Sequence, residues 1–169
     1  GEPTLNPAVY DAVVLAKQVG VDTAMMTNGI LLDMDRVHDL LRDMTFIRIN
    51  LSAGEREGFK RVHQSTAENF DLLVEKIREL VRLKKEHGYQ CTIGIQMVLV
   101  PECFDQVVKE AKLGAELGVD YFVVKQCSDS EYKEIGIDYK KYLTVQDTLK
   151  EAETYSNENY SCTIIYKYF

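Results

Sequence analysis

The chain contains no apolar run near the roughly 20 residues needed to cross a bilayer, and no basic stretch leading into a short apolar one of the secretory type. It has no excess of positive charge. Its 20 Lys and Arg against 27 Asp and Glu leave a net charge of −7, which disfavours nonspecific attraction to nucleic-acid phosphates or acidic lipid. Neither a nucleic acid nor a membrane is therefore an expected partner. The four cysteines, Cys91, Cys103, Cys127 and Cys162, form no CxxC pair and are not joined by histidines at zinc-type spacing. No disulfide framework and no metal site can be read from them, which fits a reducing, cytoplasmic compartment. Low-complexity segments and flexible linkers are also missing, so a single domain over residues 1–169 is the expectation.

What the chain does contain is a regular alternation. Apolar, β-rich runs begin at Thr23 (TAMMTNG), Phe46 (FIRINLSAG), Thr92 (TIGIQMVLVP) and Tyr121 (YFVVKQCSD), and the terminal CTIIYKYF reads as a fifth. Helical patterns lie between them. Asn6-Pro7 predicts an N-cap with proline in the first turn of a helix stopping near Gly20. A shorter helix is expected over 35–44. "STAE" places Ser65 and Glu68 at capping-box spacing ahead of a stripe formed by Phe70, Leu73, Val74, Ile77, Leu80 and Val81, which should end at Gly88. Further helices are expected over 104–117 and 144–155. Strands alternating with helices imply right-handed crossovers and a parallel sheet. Gly20-Val21-Asp22 and Gly118-Val119-Asp120 read as one helix-to-strand corner used twice.

Strands covered on both faces are normally apolar throughout. Here one face is not. Ile47, Ile49 and Leu51 alternate with Arg48, Asn50 and Ser52; Ile93, Ile95, Met97 and Leu99 with Gly94, Gln96 and Val98; Phe122 and Val124 with Val123 and Lys125; Thr27 with Met26 and Asn28. Burying such polar groups unpaired would cost several kcal/mol apiece, so the face must meet water or a polar ligand. The pattern predicts a sheet curved around an open polar interior, with its ligand site at the C-terminal strand ends. Taken singly, Arg48 reads as a paired core cation, Gln96 as a satisfied amide and Lys125 as a side chain reaching out to water.

These strand ends carry a resemblance. GEPTL at Gly1, then MTNG at Met26, then INLSAG at Ile49 resemble, in order and spacing, the GGEP motif and the following strand ends of radical S-adenosylmethionine (radical SAM) enzymes. The match runs from Gly1 to about Ser130. It implies a partial (β/α)6 TIM-like barrel of parallel strands, truncated at its N-terminal side. Residues 1–138 would match the core, and 139–169 would be an additional βα element or the start of a further region. The family holds a [4Fe-4S] cluster through a CxxxCxxC loop, binds S-adenosylmethionine on its open iron, and cleaves it reductively to a radical that abstracts hydrogen from a substrate. That loop would lie upstream of Gly1, so the chain is expected to be part of a longer enzyme and inactive alone.

By position, the resemblance implies that Gly1, Glu2 and Pro3 meet the cosubstrate's amino group, and that Asn50 and Ser52 meet its ribose or carboxylate. Arg61 would clamp that carboxylate, with Arg56 and Lys60 as competitors. Thr27 and Asn28 would meet the pocket at the first strand, although Asn28-Gly29 is also an ordinary turn pair. Gln96 and Val98 would flank the adenosine, Lys125, with Gln126 and Ser128, would face adenine or substrate, and His63 would line the substrate side. KQCSDSEYKEIGIDY departs from the family's Gly-rich segment. The resemblance implies a small-molecule or peptide substrate and a reductant protein for the parent enzyme. Two other readings remain: a class I aldolase-like barrel with Lys125 as Schiff-base nucleophile, its pKa lowered by burial and Arg48, and a noncatalytic barrel that binds a polar ligand. An unpaired edge at TAMMTNG would favour self-association.

Overall fold

The apolar runs become strands where the alternation places them. The computed structural model describes residues 1–129, 131–132 and 134–165. Within it β1 (Ala24–Thr27), β2 (Phe46–Asn50), β3 (Thr92–Leu99), β4 (Tyr121–Gln126) and β5 (Ser161–Ile165) form one sheet in the order β1-β2-β3-β4-β5, every pair parallel. Spatial order equal to chain order is what successive crossovers of one hand produce, and it is the arc of a barrel. The expected partial (β/α) barrel is met by this parallel sheet and its surrounding helices. The last four residues of the terminal run, 166–169, lie outside the described residues.

Helices α1 (Val9–Gln18), α2 (Val37–Asp43), α3 (Arg56–His63), α4 (Ala67–His87), α5 (Val107–Leu117) and α6 (Gln146–Glu153) complete the crossovers. Their starts differ from the sequence expectation: α2 and α6 each begin two residues later than expected, at Val37 and Gln146, and those of α1, α4 and α5 also differ. A 3-10 turn at Pro3–Leu5 precedes α1, so Asn6 ends that turn, and its Oδ1 accepts from the Ala8 amide at 3.1 Å; Ala8 is the residue before α1. The cap of α4 is Thr66, whose Oγ1 accepts from Asn69 N, while Ser65 lies one residue too early and instead accepts from Asn69 Nδ2 at 2.9 Å. A 3-10 stretch, Pro101–Gln106, takes up the residues before α5. No helix among the described residues is long and apolar enough to cross a membrane.

The core lies between the sheet and the helices. Ile47, Ile49, Ile93, Ile95, Met97, Phe122 and Val124 are fully buried, and α4 meets them with Leu73, Ile77 and Leu80. Each such side chain contributes about 1.5–3 kcal/mol of transfer free energy. This packing fixes which way the alternate residues of every strand must face.

Candidate functional site

Strand register sorts the opposite face into rows. Met26, Arg48, Gly94, Tyr121 and Ser161 lie side by side; Asn50, Gln96, Val123 and Thr163 form the next row; Val98, Lys125 and Ile165 form the row nearest the C-terminal ends. In the lowest of these rows the Tyr121 ring covers Gly94, where a Cβ would come within 2.1–2.4 Å of ring carbons. Its hydroxyl accepts from Arg48 Nε at 2.8 Å, and the Arg48 guanidinium stands 5.4 Å from both the Phe46 and Tyr121 ring centres. Arg48 Nη1 also donates to Gln96 Oε1 at 3.4 Å. These residues form a floor, closed by an aromatic ring and a guanidinium. A glycine inside a strand signals such a close approach, so Gly94 opposite an aromatic strand residue was the available clue to Tyr121.

Above the floor, Glu2 ties the chain start to the end of β1. Its Oε1 accepts from Thr4 N, Thr4 Oγ1 and Thr27 Oγ1 at 3.1, 2.7 and 2.6 Å, and its Oε2 accepts from Asn28 N at 2.7 Å. Burial by itself would raise this carboxyl's pKa, but the bonds from Asn28, Thr27 and Thr4 outweigh it and hold the group below its ordinary range. Glu2 is thus an anion at neutral pH with one oxygen crowded and the other bound only once, which leaves acceptor capacity on Oε2. Pro3 O is taken by Asn6 N at 3.0 Å. Asn28 Oδ1 accepts from Ile30 N at 3.0 Å in the turn that the Asn-Gly pair suggested.

At the end of β2, Ser52 is buried and adopts a left-handed conformation, φ 51°. Its hydroxyl accepts from Val98 N at 3.1 Å and lies 3.2 Å from Asn50 Oδ1, to which it donates. Asn50 therefore keeps its amide donors for the pocket. His63, at the end of α3, has Nε2 2.7 Å from Leu51 O and packs against the Phe59 ring at a tilt of 35°. Arg61 points along α3 to the segment after β3, with Nη2 2.5 Å from Asp105 Oδ1 and Nε 3.1 Å from Glu102 O; its competitors pair with Asp71 (Arg56) and Glu57 (Lys60). Helix α3 carries Arg61 and His63 to the rim, yet REGFKRVH has too few apolar residues for its period to announce a helix.

Glu110 escaped the sequence reading. It is fully buried on α5, both its carboxyl oxygens lack a hydrogen-bond partner of normal geometry among the described residues, and burial pushes its pKa well above the ordinary range against the smaller, lowering effect of the Ser52 backbone amide. The signal was its spacing: with Val107, Ala111, Gly114 and Leu117 it lies on the buried stripe of α5. The turn above it needs Gly54, where a Cβ would come within 2.3 Å of Glu110 N.

Lys125 reaches a cavity of about 430 Å3 lined by Val98, Gln126, Cys127, Ser128 and Ile165. Arg48, expected beside it, is held instead by Tyr121 and Gln96, four residues down the strand, or about 13 Å at the rise of extended chain. Thus Glu2, Thr27, Asn28, Asn50, Ser52, His63, Gln96, Val98 and Lys125 all lie at or next to the C-terminal strand ends. The cysteines do not gather there. Burial raises the thiols of Cys91 to about 11 and of Cys103 and Cys162 to about 12, and no group of three or more His, Cys, Asp or Glu that could hold a metal exists among the described residues. Scattered, buried thiols held in the protonated form do not fit a [4Fe-4S] cluster, which is held by cysteine thiolates.

The parallel arc is shared with solved structures of radical SAM enzymes. Streptococcus suis SuiB bound to S-adenosylmethionine superposes with a TM-score of 0.74 at 16% identity, over 98% of this chain and 38% of that one; SuiB has also been solved with the precursor peptide SuiA. A domain of a pyruvate-formate lyase-activating enzyme from Bacteroides vulgatus gives a TM-score of 0.66 at 16% identity, covering 97% of this chain and 94% of that one. In sequence, the chain is 29% identical over 133 residues to a Pyrococcus furiosus tungsten-containing aldehyde ferredoxin oxidoreductase cofactor-modifying protein, covering 73% of this chain and 35% of the relative. The chain thus spans about a third of that relative and of SuiB. No protein-family model matches it.

Proposed function

We propose that this chain is the cosubstrate- and substrate-binding part of a radical SAM enzyme whose cluster ligands lie elsewhere in a longer parent. The observation that supports this most is the set of polar side chains at the C-terminal ends of β1 to β4, on a fold shared with a SAM-bound neighbour. In such an enzyme S-adenosylmethionine on a reduced [4Fe-4S] cluster supplies a hydrogen-abstracting radical. The part of this chain is to bind and orient. The free acceptor of Glu2 Oε2 suits an ammonium, the amide of Asn50 suits ribose hydroxyls or a carboxylate, and Gln96 with Val98 offers an edge and an apolar flank for a nucleoside. The Tyr121–Arg48 pair bounds the site on the side away from the C-terminal strand ends. A small molecule or a peptide is the substrate, a reductant protein serves the parent, and an unpaired β1 edge favours self-association of the chain alone.

The test is to express the parent, reconstitute it with iron and sulfide without oxygen, and follow conversion of S-adenosylmethionine to 5′-deoxyadenosine. Production of 5′-deoxyadenosine, lost on N50A, is the expected result. A folded, cluster-loaded parent that leaves the cosubstrate intact overturns the proposal.

A further inference from the structure

None of the five strands contains an Asp or Glu, although acids outnumber bases across the protein. The cations on the polar face are Arg48 and Lys125. Arg48 is bound by a phenol, an amide and two ring faces. Lys125 makes no hydrogen bond and no ion pair with any described residue. Other partly buried lysines are matched: Lys84 donates to both Asp120 oxygens at 2.7 and 2.5 Å, and Lys76 to the Ile30 and Leu32 carbonyls at 2.6 and 2.8 Å.

The acid next along the chain does not serve it. Asp129 accepts from the amides of Ile135, Gly136 and Ile137 at 3.0, 2.8 and 3.2 Å, so its carboxylate is used in folding the following loop. Lys125 is therefore a half-buried ammonium beside Val98 and Ile165, in a cavity of about 430 Å3. An ammonium partly removed from water with no counter-charge is unfavourable, and a bound anion would remove that cost.

We propose that Lys125 recognises an oxyanion of the substrate, a carboxylate or a phosphate, so that the substrate class of this site is anionic. The assignment of the anion to a substrate, as distinct from some other ligand, rests on the radical SAM reading; the anion site itself does not.

The test uses the chain labelled with 13C at lysine Cε, titrated at constant ionic strength with succinate, inorganic phosphate and the neutral succinamide. Lys125 Cε is expected to shift saturably with succinate or phosphate and not with succinamide, while Lys85 stays still. Which anion saturates it tells carboxylate from phosphate. By calorimetry K125M should weaken that anion about tenfold or more, and K125R should retain it. If neither anion moves Lys125, or if Lys85 moves in parallel, the proposal is overturned. S-adenosylmethionine is titrated in the same way. If it moves Lys125 and competes with the anions, the residue belongs to the cosubstrate and the proposal falls. If an anion still moves Lys125 while the cluster-loaded parent leaves S-adenosylmethionine intact, the radical SAM reading fails and the anion site stands.

Discussion

The ring of Tyr121 occupies the space that a side chain on Gly94 would need, with Cζ only 2.1 Å from the position of a Cβ. One glycine thereby decides where a phenol lies, and the phenol in turn holds Arg48 through its hydroxyl. The floor of the site depends on that pair.

G94A should expel the ring and break the Arg48–Tyr121 bond, lowering stability by about 1–3 kcal/mol. In a Y121A background the same substitution should cost little, because the ring it collides with is gone. Urea unfolding of the wild type, both single variants and the double variant measures the coupling. Additive effects would show that the ring and the glycine act independently.

Ser52 combines a left-handed backbone with a hydroxyl that serves Val98 N. S52A keeps the strained backbone and strips a buried amide of its acceptor, a loss of about 1–3 kcal/mol. S52G loses the same acceptor but relieves a conformation that costs a non-glycine residue roughly 1–2 kcal/mol. The glycine variant should therefore be the more stable of the two in thermal or urea unfolding, although it has fewer contacts. An S52G that unfolds before S52A would mean that the φ of 51° carries no strain.

Two carboxyls, one half-buried and one fully buried, should bend the pH profile of stability in opposite directions. Glu2 is held below its ordinary 4.5, so it takes up its proton more readily unfolded than folded. Its contribution is present above 4.5 and is lost as pH falls through the lowered folded value. E2Q should remove this acid-side loss and speed exchange of the Asn28 amide. Glu110 is held well above 4.5, so the folded state keeps its proton when the unfolded state releases it. Stability should fall as pH rises from 4.5 toward the raised value, and E110Q should flatten that slope. E110M, which replaces an unpartnered polar group with an apolar one of similar size, should be neutral or stabilising at neutral pH by up to about 3 kcal/mol. Denaturant midpoints from about pH 2 to 8 test both; an unchanged slope in E110Q would place the ionised carboxylate in the folded protein.

The repeated corner shows where reading by sequence succeeds and where it stops. Gly20 and Gly118 both adopt positive φ, 78° and 73°, and the residue after each donates back to the helix, Val21 to Ala16 O and Val119 to Gly114 O. Backbone conformation follows from glycine, so it was legible. The surroundings were not: Val21 is 53% exposed and Val119 is 1% exposed, because one corner leads into an edge strand and the other into a strand with neighbours on both sides. Asp22 accordingly faces solvent near Lys17, whereas Asp120 binds Lys84 and the Ile93 amide.

The residues by themselves determined the alternation of strands and helices, the parallel order it demands, and the division of each strand into an apolar and a polar face, since periods of 2 and 3.6 are local properties of the backbone. Tertiary structure alone decided what each polar side chain does. Glu2, Ser52 and Arg61 are committed to Thr27 and Asn28, to Val98, and to Asp105, while Lys125 is left without a described partner. Those outcomes depend on strand register and on groups 25 to 46 residues apart in sequence, distances over which no local pattern carries information.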